Sequence, residues 1–153
     1  MQSLDQIPTT PGTYVLILKL RQKLRLLIGR LGEHEFQTGY YAYVGSAQGP
    51  GGLAGRLKRH LTLLPTKPPH WHIDHLNQQA DITQIWWLEG TSNHECIWSQ
   101  ILASIGTRSV PNFGSSDCGC PGHLIWFPQP KKFSWPECMK AIADNLRKIV
   151  ISH

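Results

Sequence analysis

Behind the turn pair Pro11-Gly12 stands an unbroken run, Thr13-Tyr14-Val15-Leu16-Ile17-Leu18, in which every side chain is β-branched, aromatic or aliphatic. Such a run, short and bounded by turn residues, predicts a buried strand. A buried strand needs partners on its edges. Gly39-Tyr40-Tyr41-Ala42-Tyr43-Val44-Gly45 has the same character and stops at a glycine, which predicts a second. Between them, Arg21-Gln22-Lys23 interrupts the apolar pattern before Leu24 to Ile28, which suggests a hairpin with the first run. Three antiparallel strands are expected in the first 45 residues.

Helical spacing takes over next. Gln48 to Gly52 is a flexible loop, and Leu53, Leu57, Leu61 and Leu64 then fall on one face of a helix that carries Arg56, Lys58, Arg59 and His60 on its other sides. Pro65 to Pro69 ends it, and His70 to Leu76 reads as a short second helix. Ile82 to Leu88 is a further strand, Ser92-Asn93-His94-Glu95 opens a helix that stops at Gly106, and Thr107 to Gly122 is a loop. A short strand at Leu124 to Phe127 and a last helix from Ser134 to about Lys148 complete the chain. The fold class expected is α/β in the α+β sense, a small central, mainly antiparallel sheet flanked by helices. At 153 residues, one domain is expected, with its core at about 12–105 and the rest a loop, short strand and helical extension.

Fifteen Lys and Arg against ten Asp and Glu give a net charge of +5, which favours a polyanionic partner through counterion release. The first eleven residues have neither a basic start nor an apolar core of signal-peptide length, so a cytoplasmic protein is expected. No apolar run approaches the roughly 18 residues that span a bilayer. Cys96, Cys118, Cys120 and Cys138 are irregularly spaced and read as thiols or metal ligands rather than a disulfide framework.

Gly12-Thr13-Tyr14 and Tyr43-Val44-Gly45 resemble the two tripeptides that name the GIY-YIG nucleases, although Thr13 stands in place of the usual Ile and about 28 residues separate the two. The resemblance spans residues 12 to 100 and the order strand, strand, basic helix, strand, acidic helix. It places Arg56, His60 four residues on, and Glu95 where that family has its phosphate-binding Arg, an accompanying His and its metal-binding Glu. It implies a metal-dependent DNA endonuclease with Tyr14, Tyr43, Arg56, His60 and Glu95 as catalytic residues. Glu95 would hold one Mg²⁺ or Mn²⁺, hard cations that prefer oxygen ligands, weakly until DNA phosphate completes the shell. Tyr43, or alternatively Tyr14, would be the general base, Arg56 would brace the scissile phosphate, and His60 would orient a tyrosine or touch phosphate. A structure- or lesion-directed role in DNA repair or recombination is expected, with specificity from DNA shape or a DNA-repair partner protein, since no helix-turn-helix or zinc-finger array is legible.

Each of these residues has a plainer reading. Strand tyrosines are ordinarily core residues with a hydrogen-bonded tip, and helix arginines are ordinarily solvated. Ser92-x-x-Glu95 matches a capping box in which the carboxylate turns back to the Ser92 amide, so the nuclease reading requires Glu95 to face the tyrosines instead. Cys118-x-Cys120-x-x-His123 has donor types that suit structural Zn²⁺, but its spacing matches no standard finger, and a packed loop of thiols and histidines is preferred. Trp86 and Trp87 point to opposite faces of their strand, one into the core and the other available to stack on a base. A binding module that kept the fold without turnover, and a zinc-stabilised interaction protein, are the alternative functions.

Overall fold

The computed structural model describes residues 4–62, 68–115, 119–129 and 146–151. Its centre is β1, Gly12–Leu20, buried along almost its whole length. Both edges of β1 are paired, one by β4, Gly39–Ala47, and the other by β5, Asp81–Glu89, each antiparallel. The expected hairpin partner is elsewhere. Strand β2, Leu24–Leu27, pairs with β3, Glu33–Phe36, as a separate two-stranded sheet. The reason lies in the side chains: β2 alternates half-buried with exposed residues and leaves Leu27 65% exposed, a pattern for a one-sided sheet, whereas the fully apolar flanks of β1 take the more apolar β4 and β5.

The main sheet continues outward with β6, Thr107–Arg108, β7, Leu124–Phe127, and β8, Arg147–Val150, in the order β6-β7-β4-β1-β5-β8, every pair antiparallel. Strand β8 corrects the expected end of the last helix, because Arg147 and Lys148 pair with Trp87 and Trp86. The remainder of that helix, Ser134 and Glu137 included, falls outside the described residues, as does Leu64.

Alternation along β1 sorts the core into two layers. Tyr14, Leu16 and Leu18 face one way with Tyr41, Tyr43 and Trp87, and are covered by Leu53 and Leu57 of α1, Gly52–Leu61, and Ile73 and Leu76 of α2, His72–Asn77. Val15 and Ile17 face the other way with Ala42, Val44 and Trp86, beneath Trp98 and Leu102 of α3, Glu95–Ile105. With both faces covered, Trp86 and Trp87 are both buried, so neither is exposed for stacking. Among the described residues no helix is long and apolar enough to cross a membrane.

Candidate active site

Both tripeptide glycines have a steric cause. Tyr14 of β1 sits directly opposite Gly45 of β4, and a Cβ on Gly45 would lie 2.5 Å from the Tyr14 hydroxyl. A Cβ on Gly12 would meet the Leu88 carbonyl at 2.5 Å and Leu53 Cδ1 at 2.6 Å, where α1 crosses the strand. These glycines let the Tyr14 ring lie over the sheet and α1 pack close upon it. The residues between the tripeptides form β2, β3 and their connection, so the two motifs are neighbours in the sheet despite their separation in sequence.

Helix α1 brings Arg56 and His60 to this spot. His60 is buried, and its Nε2 lies 2.7 Å from the Tyr14 hydroxyl. Burial pushes its imidazole down to about 3, with Asp74 partly opposing and the Arg59 and Arg56 guanidiniums reinforcing, so the ring is neutral at physiological pH. Burial also holds the Tyr14 phenol well above its ordinary value, Tyr43 adds to this, and Arg56 opposes it. Burial thus favours the neutral phenol of Tyr14, whose hydroxyl is engaged with His60 Nε2.

Arg56 is held at three points: it donates to the Ser46 carbonyl at 2.9 Å, hydrogen-bonds Tyr14, and lies over the Trp71 ring at 4.5 Å. Arg59 covers the same ring at 3.9 Å and donates twice to the buried Asp74 carboxylate, at 3.0 and 2.8 Å. Asp74 also accepts from the His70 and Trp71 amides, both at 2.9 Å. Burial pushes the Asp74 carboxyl up, but these bonds outweigh it and the net shift is downward. Asp74 thus fixes the start of α2, and with it the Trp71 ring that carries both guanidiniums.

Glu95 is the first residue of α3, and His94 rather than Ser92 holds the N-cap position. The Glu95 amide instead donates to Asn93 Oδ1 at 2.9 Å, and the preceding His94 amide donates to Thr13 Oγ1 at 3.3 Å. One turn of intended cap is therefore spent tying the segment to β1, and the Glu95 side chain turns to the cleft. Its Oε2 lies 3.1 Å from Nδ1 of the buried His123, whose imidazole is held below its ordinary value by burial, partly opposed by a hydrogen bond to the Val44 backbone.

Tyr43, Arg56 and Glu95 line one cleft of about 220 Å³ together with Ser46, Trp71 and Asn93. Tyr14 and His60 lie behind it, packed on Tyr43 through His60, whose ring centroid is 6.3 Å from that of Tyr43. Gly114, at φ +73°, backs the Tyr43 ring, where a Cβ would lie 2.9 Å from Cε1. A second cleft, about 520 Å³, shares His70, Trp71 and His72 and adds Arg30 and His75. All five residues singled out in the sequence thus come together. Three contributors were not assigned roles there: Trp71 and Asp74, whose signal was the aromatic and acidic His70-Trp71-His72-Ile73-Asp74 segment, and His123, which had been weighed only as a zinc ligand.

The cleft is lined by one carboxylate, one guanidinium, the imidazoles of His70 and His72, and hydroxyl and amide groups; the guanidinium suits a phosphate and the carboxylate a hard divalent cation. Beside it, Cys96 and Cys120 are joined by a disulfide. This corrects the expectation of free thiols: helix α3 and the segment before β7 bring together two cysteines 24 residues apart, a proximity that spacing alone did not reveal. Cys118 and Cys138 lie outside the described residues.

No curated protein and no solved structure matches the chain. One family model does, over residues 13–147, a span that takes in Tyr14, Tyr43, the two guanidiniums, Glu95 and the Cys120–His123 segment. The chain belongs to that family, described as the domain of unknown function DUF123.

Proposed function

We propose that this protein is a GIY-YIG-type endonuclease that hydrolyses phosphodiester bonds in DNA with the help of Mg²⁺ or Mn²⁺. The observation that supports this most is the convergence of Tyr43, Arg56 and Glu95 on one cleft, with Tyr14 and His60 bonded to each other behind it. Helix α3 starts at Glu95 with His94 at its N-cap, and Glu95 lines the cleft.

Arg56, already oriented by the Ser46 carbonyl and the Trp71 ring, offers a fixed guanidinium to the scissile phosphate, so little side-chain freedom is lost on binding. Tyr43 borders the cleft; once its phenol has given its proton to solvent, the phenolate oxygen would take the proton of the attacking water. Tyr14 and neutral His60 hold the wall of the site, keeping Tyr43 and Arg56 in register. Glu95 fits a hard cation as a cleft-lining carboxylate. When bound there, Mg²⁺ or Mn²⁺ supplies positive charge to the phosphoryl oxygens. The adjoining cleft, with Arg30, His70 and His75, gives a DNA strand a basic and aromatic path away from the phosphate site. Direction to branched or damaged DNA, alone or through a repair partner, belongs to the same proposal.

The test is a nicking assay on supercoiled plasmid, branched duplex and single-stranded DNA with Mg²⁺ or Mn²⁺. Cleavage by the wild type that disappears in Glu95→Ala and Arg56→Ala, with both variants folded, supports the reading. Indistinguishable behaviour of wild type and Glu95→Ala on every substrate rejects it.

A further inference from the structure

The phosphodiester reading makes no use of two sulfurs and an imidazole that stand beside Glu95. Cys96 is the second residue of α3, while Cys120 and His123 belong to the segment that leads into β7. A ligand atom from each of the three lies within 4.8 Å of the other two, and Cys120 and His123 are buried. This proximity does not depend on the disulfide alone. The segment is pinned independently by the backbone, with the His123 amide donating to the Phe113 carbonyl at 2.7 Å and the Val44 amide donating to the His123 carbonyl at 3.0 Å. Asn112, at φ +64°, donates its amide to the Pro121 carbonyl at 2.7 Å and fixes the turn from the other side. Cys96 is carried by the helix.

Thiolate and imidazole together are the donors of zinc-class cations, whose bonds of roughly 2.3 Å to sulfur and 2.0 Å to nitrogen put tetrahedral ligand atoms about 3.3–3.8 Å apart. Hard cations such as Mg²⁺ do not choose such a set, so this site and the cleft select different metals. The imidazole also has the support that metal-binding histidines ordinarily have, a hydrogen bond to backbone at Val44.

We propose that in the reduced protein Cys96, Cys120 and His123 bind one zinc-class divalent cation, which joins the first turn of α3 to the segment before β7. The disulfide and the ion are alternative occupants of the same sulfurs. A dithiol reductant delivers two electrons and two protons to the Cys96–Cys120 bond and leaves as its own disulfide. Each thiol then loses its proton to solvent as its sulfur bonds the ion, so two protons are released per cation bound. Either occupant ties Glu95's helix to His123, so the tie survives in oxidising and reducing surroundings alike.

The experiment uses the full chain, reduced with a dithiol, freed of reductant by anaerobic gel filtration and titrated with Co²⁺ followed by Zn²⁺. The expected result is a thiolate-to-cobalt charge-transfer band that saturates at one equivalent and vanishes as Zn²⁺ displaces Co²⁺. Cys96→Ser, at a partly exposed position, should abolish that saturation. Absence of the band in reduced wild type overturns the proposal, and so does an unchanged band in Cys96→Ser. Because the readout is optical, it is independent of cleavage: Arg56→Ala, whose contacts are with Ser46 and Trp71 rather than with the sulfurs or His123, should lose nicking in the nuclease reading yet keep the band, so failure of either idea is distinguishable from failure of the other.

Discussion

The buried His60 makes a quantitative claim about acid stability. Its ring is neutral in the folded protein down to about pH 3, whereas in the unfolded chain an imidazole titrates near 6.5. Between those values the unfolded state binds a proton that the folded state refuses. Stability from this group is therefore complete above about pH 6.5 and is lost as pH falls towards 3. Each pH unit over which only the unfolded chain takes the proton costs on the order of 1 kcal/mol, so lowering the pH from 7.5 to 4.5 costs roughly 3 kcal/mol through His60 alone. Folding also shifts the Asp74 carboxyl and the His123 imidazole downward, so the wild-type loss by itself does not isolate the residue. His60→Gln does, since an amide reaches for the Tyr14 hydroxyl but carries no titrating nitrogen. Urea unfolding of both proteins, unreduced, at pH 7.5 and 4.5 gives the comparison. The wild type should lose roughly 3 kcal/mol more than the variant. Equal losses would show that His60 is protonated or solvated in the fold, and would remove the basis for treating it as the neutral partner of Tyr14.

Other outcomes follow from contacts around the cleft. Gly45→Ala places a methyl against the Tyr14 ring and should destabilise the protein by about 1–3 kcal/mol in chemical denaturation, an unchanged midpoint contradicting the close packing. Asp74→Asn leaves Arg59 without its carboxylate and weakens the start of α2, which should cost about 3–5 kcal/mol and lower nicking by misplacing Trp71. Trp71→Ala removes the ring under Arg56 and should raise KM for DNA with a shallower salt dependence, while the fold is kept; an unaltered KM would show that the ring does not position the guanidinium. Arg56→Ala should lower kcat by about 10²–10³-fold if it stabilises charge on the phosphate, and Arg56→Lys should restore only a fraction, because an ammonium cannot reproduce the planar contact.

The elements that periodicity identifies are those whose own side chains decide their place. Thr13 to Leu18 has no polar position to expose, and it becomes a strand with both edges and both faces covered. Leu53 and Leu57 mark the buried side of α1 for the same reason. Pairing is less legible, because it depends on competition: β2 follows β1 in sequence but loses to β4 and β5, which are more apolar. The candidate site was readable where a residue type was forced by geometry, as at Gly45 beneath Tyr14. It was unreadable where chemistry depends on proximity between distant segments. Ser92 and Glu95 have capping spacing, but Asn93 and Thr13 took the amides and left the carboxylate for the cleft. The Cys96–Cys120 bond and the Glu95–His123 contact are likewise meetings of α3 with a remote turn, and spacing carries no signal for them.

The position of β1 at the middle of the sheet has a kinetic consequence. Its two partners lie on either side of long stretches of intervening chain, Tyr14 pairing with Gly45 on one edge and Trp87 on the other. Loop closure over such separations is slow compared with the formation of a local hairpin or helix. The segments at β2–β3 and α1 are therefore expected to be structured before Tyr14 has either neighbour, and the cleft exists only after the last of these long-range pairings is made. Amide exchange on the β1 strand then reports the opening of the site itself: any fluctuation that exposes those amides also parts Tyr14 from Gly45, so the competence of the cleft and the cooperativity of the sheet are one quantity.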